Sequence, residues 1–133
     1  DYIMKSMVGG RTMVAYNKAK HIQNKILQDF DAVSLYPSAM KRLKGFLKGK
    51  PKVLENLSYD FLKKCDGYFV QIKIIKNNKK RAFPLMSYKN ENEIRMFENE
   101  VPGNLYVCKF ELEDLIEFHN IEFEIVDGYY LCF

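Results

Sequence analysis

Apolar and polar positions follow a strand-like pattern in several parts of the chain, most clearly over residues 67–75. That run is rich in β-branched and aromatic side chains, which favours a strand. Asp127-Gly128 is a typical hairpin turn signal, so residues 129–133 are predicted to pair with the strand before it. The segments predicted as strands are residues 11–16, 25–35, 67–75, 81–86, 104–110 and 121–126.

Apolar residues recur at helical spacing in other segments. Pro37 suits the first turn of a helix, and Gly49 with Pro51 would end that helix. Ser58 is a suitable N-cap for a second, shorter helix. The polar and acidic residues 87–102 are predicted as loop or a short helix. The predicted helices cover residues 38–48, 59–65 and 111–119. The mixture predicts an α+β fold with mostly antiparallel pairing.

The composition is that of one modest folded domain. The chain has 133 residues, of which 47% are hydrophobic and 29% charged. Its longest apolar run is too short to cross a bilayer, and no basic-then-apolar leader is present. Because the first residue is Asp1 and not Met, we expect a longer parent chain. His21 and His119 have no partner in sequence and are expected at the surface or core edge. No Cys-x-x-Cys pair occurs, which argues against zinc and predicts reduced, buried thiols at Cys65, Cys108 and Cys132.

Charge is distributed unevenly along the chain. Residues 1–90 carry 19 Lys/Arg and 6 Asp/Glu, whereas residues 91–133 carry 2 and 11. This asymmetry indicates one half that faces a polyanion, unless two solvated surfaces simply differ. Two basic groups could lie near phosphates, although the first could also be the solvated face of a helix and the second a solvated turn. They are Lys41, Arg42, Lys44, Lys48, Lys50 and Lys52, and, at a predicted hairpin tip, Lys76, Lys79, Lys80 and Arg81.

Residues 29–40 are the stretch whose order and spacing indicate a chemistry. Asp31 ends a predicted strand and could bind Mg²⁺, which prefers one or two carboxylates together with substrate phosphates. The Ala32 carbonyl is the next available oxygen. Asp29 lies two residues earlier, on the same face of a regular strand. Spacing alone therefore leaves both carboxylates as candidate ligands.

The turn after Asp31 is a candidate anion site. Amides near Ser34 and Leu35 would lie close to a helix N-terminus, where backbone N–H groups and the helix dipole favour negative charge. Tyr36 would form the floor of the same site. The alternative is an ordinary strand–turn–helix connection with Tyr36 packed in the core.

The segment from Asp31 to Ser38 resembles the first palm motif of family B DNA polymerases, Asp-x-x-Ser-Leu-Tyr-Pro-Ser, at every fixed position. The resemblance implies that Asp31, rather than Asp29, binds both catalytic magnesium ions. It also implies that the Ala32 carbonyl joins the second metal site.

The same resemblance assigns the turn to the nucleotide. The amides of Ser34 and Leu35 would hold the triphosphate of the incoming deoxynucleotide. Tyr36 would lie under the sugar and exclude a 2′-hydroxyl.

A second resemblance lies upstream. Gly9-Gly10-Arg11 is similar to the Tyr-x-Gly-Gly element of the protein-primed, organellar and viral branch, which touches the template strand. Met7 stands where that element has its tyrosine. The branch also carries an α+β insertion after the first palm motif, which contacts the priming protein and the DNA. The resemblance thus divides the chain into a palm segment, the insertion and a return strand toward the palm, at residues 1–52, 53–126 and 127–133.

These resemblances imply a DNA-directed DNA polymerase that uses two Mg²⁺ ions, a primer-template, deoxynucleoside triphosphates and a priming protein. They imply an intracellular location, either the cytoplasm of a host cell for a phage or plasmid enzyme or an organelle. The fingers motif and the Asp-Thr-Asp motif of the family do not occur in this sequence. We therefore expect the 133 residues alone to be inactive.

Two other functions remain open. The chain could be a stand-alone module that binds nucleic acid through its basic half and a protein through its acidic half. Asp29-Phe30-Asp31 could also be the metal-binding Asp-x-Asp of a sugar-nucleotide transferase, although this leaves Ser-Leu-Tyr-Pro unexplained.

Overall fold

The computed structural model describes residues 2–131. Within that range, no helix is long and apolar enough to span a membrane. The helices are α1 (Tyr2–Lys5), α2 (Leu35–Arg42), α3 (Tyr59–Leu62) and α4 (Lys109–Asp114), with a 3₁₀ turn at Ala15–Asn17 and a π-helical turn at Leu115–His119. The strands are β1 (Lys52–Val53), β2 (Gly67–Asn77), β3 (Ser87–Lys89), β4 (Arg95–Phe97), β5 (Leu105–Cys108) and β6 (Ile121–Leu131).

Among the described residues, four strands form one sheet in the order β1-β6-β2-β5, and β3 pairs with β4 separately. Every pairing is antiparallel, which confirms the predicted α+β fold. The long β2–β6 pair is the centre of the sheet, with Gly67 opposite Leu131 and Asn77 opposite Ile121.

The core lies on one face of this sheet. Alternate β2 side chains, Tyr68, Val70 and Ile72, are fully or almost fully buried, as are Leu112 and Leu115 of the helical layer. This alternation is what a strand with one covered face requires. Burying each aliphatic side chain stabilises the fold by about 1.5–3 kcal/mol.

The opposite face of the sheet holds the N-terminal helix. The Tyr2 ring packs edge-on against Tyr106 and Tyr129, with centroids 5.1 Å away in each case. Its hydroxyl donates to the Asp127 carboxylate at 2.5 Å. Burial and the neighbouring carboxylate raise the pKa of Tyr2, so the hydroxyl remains a donor. The N-terminal segment is therefore attached to the folded body at its first turn.

Several predictions in the second half of the chain are confirmed. Strands occupy the predicted segments 67–75, 104–110 and 121–126, with small shifts at their ends. Ser58 is the N-cap of the short helix that follows it, although its side chain makes no capping hydrogen bond. The prediction of loop or helix for residues 87–102 is wrong, because this stretch contains the β3–β4 hairpin.

The cysteine prediction is confirmed in part. Cys65 is a buried thiol whose Sγ donates to the Phe61 carbonyl at 3.6 Å. Cys108 is a half-buried thiol. Cys132 lies outside the described residues.

The strands predicted at residues 11–16, 25–35 and 81–86 are wrong. Among residues 2–131, no strand pairs with residues 25–35, and an unpaired strand leaves its amides without partners. The apolar side chains there are exposed, with Ile26 at 90% and Phe30 at 91%. The helix predicted at 38–48 instead ends at Arg42, before Gly49 and Pro51 are reached.

The hairpin turn predicted at Asp127-Gly128 is also wrong. Strand β6 continues through it, with Asp127 opposite Gln71 and Gly128 opposite Val70, although the register shifts by one residue just before Asp127. A Cβ atom at position 128 would lie 2.6 Å from Val70 Cγ1 and 2.8 Å from the Phe69 carbonyl oxygen. Glycine is therefore needed there for close approach of two strands, a role that can resemble a turn signal in the sequence.

Candidate nucleotide-binding site

The turn before α2 has the backbone geometry of an anion site. Ser34 is left-handed, with φ 49° and ψ 50°, and Leu35 begins the right-handed helix. A left-handed residue followed by a right-handed one turns successive N–H groups toward one concave side. The first bond inside the helix runs from the Ser38 N–H to the Ser34 carbonyl at 2.9 Å. The amides of Ser34, Leu35 and Tyr36 therefore precede the helical ladder and are available to a ligand.

The left-handed conformation has a cost for a residue other than glycine, about 1–3 kcal/mol at a strained position. The Ser34 side chain makes no capping bond that offsets it. Such conformations cluster at ligand-binding sites, because the geometry serves the ligand rather than the fold.

Asp31 and Ala32 lie immediately before this turn and are exposed. The predicted rigid mount at a strand end is wrong, since residues 25–34 are not in a strand. Asp29 is exposed as well. Across residues 2–131, no three His, Cys, Asp or Glu side chains are grouped so that they could hold a metal. Asp31 thus supplies a donor of the kind that Mg²⁺ prefers, but the described residues do not complete a ligand set.

Tyr36 lies on the first turn of α2 and is 75% exposed. The alternative in which this ring packs in the core is therefore wrong. The ring lies on the same turn as the available backbone N–H groups of Leu35 and of Tyr36 itself. An exposed aromatic ring and available backbone amides thus lie on the same turn.

The segment around the motif exposes many large apolar side chains. Their number within one segment exceeds the scattered single apolar residues that are common on protein surfaces. The exposed side chains are Ile22, Ile26, Leu27, Phe30, Val33, Leu35, Tyr36, Met40, Leu43, Phe46 and Leu47.

The Gly9-Gly10 element is exposed like the motif, but the Arg11 side chain that follows it is bonded to the folded body. Gly9 and Gly10 are open to solvent, and an added Cβ at either would meet no atom within 4 Å. Arg11 turns back onto the folded body, where its guanidinium donates to the Pro84 and Leu85 carbonyls at 3.2 and 2.9 Å.

Sequence reasoning missed the role of His119, which is fully buried. Its Nε2 accepts from the Leu85 N–H at 3.0 Å, so its Nδ1 donates to the Lys79 carbonyl at 2.8 Å. Burial lowers the pKa of His119, in keeping with a neutral ring. No local pattern indicates this contact, because its partners lie 34 and 40 residues away.

The basic hairpin tip predicted from sequence is an ordered loop, residues 78–85. Lys80 is paired with Glu100 at 3.5 Å across an exposed surface. The Arg81 guanidinium lies over the Phe118 ring, 5.1 Å from its centroid. The Asn99 side chain bonds the Arg81 N–H and carbonyl at 2.8 and 3.0 Å. This loop therefore presents its cations from a fixed backbone.

Glu111 has an unusual titration. Burial raises its pKa to about 7, although the Arg11 and Arg95 guanidiniums act in the opposite direction. The unfolded carboxyl titrates near 4.5. Between these two values the folded state holds a proton that the unfolded state has lost, so the free energy of unfolding falls as pH rises through this window.

Replacing Glu111 by Gln should therefore raise the free energy of unfolding at pH 8 by about 1–3 kcal/mol and change it little at pH 4.5. Urea denaturation at the two pH values measures this difference. Glu113→Gln, on the exposed side of the same helix, is the control and should have little effect at either pH. Equal behaviour of the two variants would contradict the buried-carboxyl explanation.

Residues 31–38, in which a left-handed turn leads into the helix that begins at Leu35, are the segment that resembles the first palm motif of type B DNA polymerases. The chain belongs to the organellar and viral family of type B DNA polymerases, whose family model matches residues 1–131. No curated protein and no solved structure is significantly similar to it.

Proposed function

We propose that residues 29–38 form the nucleotide- and metal-binding half of the active site of a DNA-directed DNA polymerase. The observation that carries the proposal is the left-handed turn at Ser34, whose following amides are available directly after the Asp31 carboxylate. The amides of Ser34 and Leu35 would hold the triphosphate, and Tyr36 would face the sugar.

The proposed reaction is nucleotidyl transfer. The 3′-hydroxyl of a DNA primer, or a hydroxyl of a priming protein, bonds to the α-phosphorus of a deoxynucleoside triphosphate. The bond to pyrophosphate breaks, and the attacking hydroxyl loses its proton. Asp31 and the Ala32 carbonyl would hold the two Mg²⁺ ions, which when bound stabilise the attacking and leaving oxygens.

The exposed apolar segment supports a site shared with further polymerase segments. A solvated surface this rich in large apolar side chains favours burial against another part of an enzyme. We therefore propose that the chain is one part of a longer polymerase, in which the remaining carboxylate and cations face Asp31.

Primer extension tests this proposal directly. The isolated 133-residue chain, with magnesium, a primer-template and all four deoxynucleotides, should add no nucleotide. A polymerase that contains the chain should extend the same primer. Extension by the isolated chain would contradict the shared site, and inactivity of the longer protein would favour a stand-alone binding module.

The remaining parts of the chain have proposed partners of their own. The element Gly9–Arg11 would lie at the template strand, within the palm segment of residues 1–52. Residues 53–126 would contact DNA and the priming protein, with residues 127–133 returning toward the palm. The ordered basic loop supports the DNA contact, because cations carried on a fixed backbone bind phosphates with less loss of backbone freedom.

Replacing Tyr36 by Val should admit ribonucleotides. Loss of the ring removes the surface proposed to meet a 2′-hydroxyl, so the preference for deoxynucleotides over ribonucleotides should fall by about tenfold or more. Single-nucleotide insertion kinetics with matched dNTP and rNTP measure this ratio in the longer polymerase. Tyr36→Phe keeps the ring and should keep the preference. Unchanged discrimination in Tyr36→Val would remove Tyr36 from its proposed role.

A further inference from the structure

Arg11 uses its guanidinium inside the protein. Two nitrogens of the planar group donate to neighbouring carbonyls, Nη1 to Pro84 at 3.2 Å and Nη2 to Leu85 at 2.9 Å. The group also lies over the Phe97 ring, 4.9 Å from its centroid. A planar fork that bonds two acceptors and stacks on an aromatic ring is a geometry that Arg can adopt and Lys cannot.

Two further contacts follow Arg11 along the chain. The Tyr16 N–H donates to the Ala82 carbonyl at 2.8 Å. The side-chain Nδ2 of Asn17 donates to the Phe97 carbonyl at 3.0 Å. All of these bonds end on backbone carbonyls of residues 82–97. Residues 11–17 therefore run along that backbone as one attached segment.

The acceptors of Arg11 belong to loop 78–85, which is held from the other side. His119 bonds both ends of the loop, at the Lys79 carbonyl and the Leu85 N–H. Asn78 adds a bond from its side chain to the Asn120 carbonyl at 2.8 Å. Because the loop is fixed by groups far away in sequence, Arg11 binds to a rigid partner rather than to a mobile turn.

We propose that Arg11 is a positioning residue: it fixes the Gly9-Gly10 element to loop 78–85 and does not itself bind DNA phosphate. This inference rests on the proposed function, in which the Gly-Gly element lies at the template strand. Arg11 would set the place of the exposed Gly9-Gly10 backbone relative to the cations Lys79 and Arg81. The template strand would then contact the Gly9-Gly10 backbone and these two cations as one continuous surface.

Amide hydrogen exchange on the 133-residue chain tests the attachment without DNA. Arg11→Ala and Arg11→Lys should both speed exchange of the Tyr16 amide by about tenfold, since both lose the two-pronged bond. Exchange of the central β2 amide Val70 should not change. Lys18→Ala removes an exposed positive charge from the same region and is the control, with no expected change at Tyr16. Unchanged Tyr16 exchange in both Arg11 variants would overturn the proposal.

The salt dependence of DNA binding separates positioning from phosphate contact. A residue that contacts phosphate contributes about 0.9 to the slope of log association constant against log salt concentration, and Lys can replace Arg there. For a positioning residue, Arg11→Lys and Arg11→Ala should weaken primer-template binding of the longer polymerase equally, with the wild-type slope. Wild-type affinity in Arg11→Lys would overturn the positioning role. A salt-dependence slope smaller in magnitude by about one in Arg11→Ala would also overturn it. Absence of DNA binding in the wild type would contradict the proposed function and leave the exchange result to decide the role of Arg11.

Discussion

Gly128→Ala should lower the free energy of unfolding by about 2–4 kcal/mol, among the largest losses expected from a single methyl group. The new Cβ would lie 2.8 Å from the Phe69 carbonyl oxygen and 3.1 Å from the Val70 Cα. These are backbone atoms of the central strand, so they can move only if the β2–β6 pairing opens. The urea midpoint should therefore fall with little change in the slope of unfolding.

Gly45→Ala is the matched control for this substitution. An added Cβ at position 45 meets no atom within 4 Å. We expect a change within about 0.5 kcal/mol, or slight stabilisation because the unfolded chain loses freedom. Equal midpoints for the two variants would contradict the close approach of β6 to β2.

The sheet was predictable where a segment carries its own signal. Residues 67–75 are rich in apolar and β-branched side chains, and they form the central strand between β6 and β5. A helix was predicted over residues 111–119, and its apolar residues Leu112 and Leu115 are both buried. In these segments local pattern and tertiary packing agree.

Residues 25–35 show where local pattern fails. Their apolar side chains favour a strand, but strand formation needs a partner with free backbone groups. No described strand lies beside them, and Phe30 is 91% exposed. The turn prediction at Asp127-Gly128 is wrong for the opposite reason. There the close tertiary contact of Gly128 with Val70 overrides the local turn preference.

The local turn of the candidate site was predictable from the sequence, whereas the long-range contacts elsewhere in the fold were not. Ser34 and Leu35 form the expected turn because the motif specifies it locally. The contacts of Arg11 and His119 join residues more than 30 positions apart. No spacing rule in one sequence reveals such pairs, since they depend on how the loop and the helical layer meet.

Asp31→Asn should reduce polymerisation by about a thousandfold or more in the longer polymerase. The substitution keeps the size and shape of the side chain and removes the charge. A bound metal contributes several kcal/mol of transition-state stabilisation, so loss of the carboxylate ligand proposed for it should appear in the catalytic rate. Asp31 is exposed and outside the core, so folding and DNA binding should be nearly unchanged.

Asp29→Asn provides the matched control for Asp31→Asn. It removes the same charge two residues away, from a side chain that is equally exposed. It should leave the rate within about threefold of wild type, because the motif begins at Asp31. Thermal unfolding of both variants should match the parent, which separates loss of chemistry from loss of structure.

The comparison of single-turnover primer extension by these two variants is the most direct test of the polymerase site. Loss confined to Asp31→Asn, with primer-template affinity retained, is the predicted result. Equal losses at Asp29 and Asp31 would contradict it and favour a paired Asp-x-Asp metal site instead.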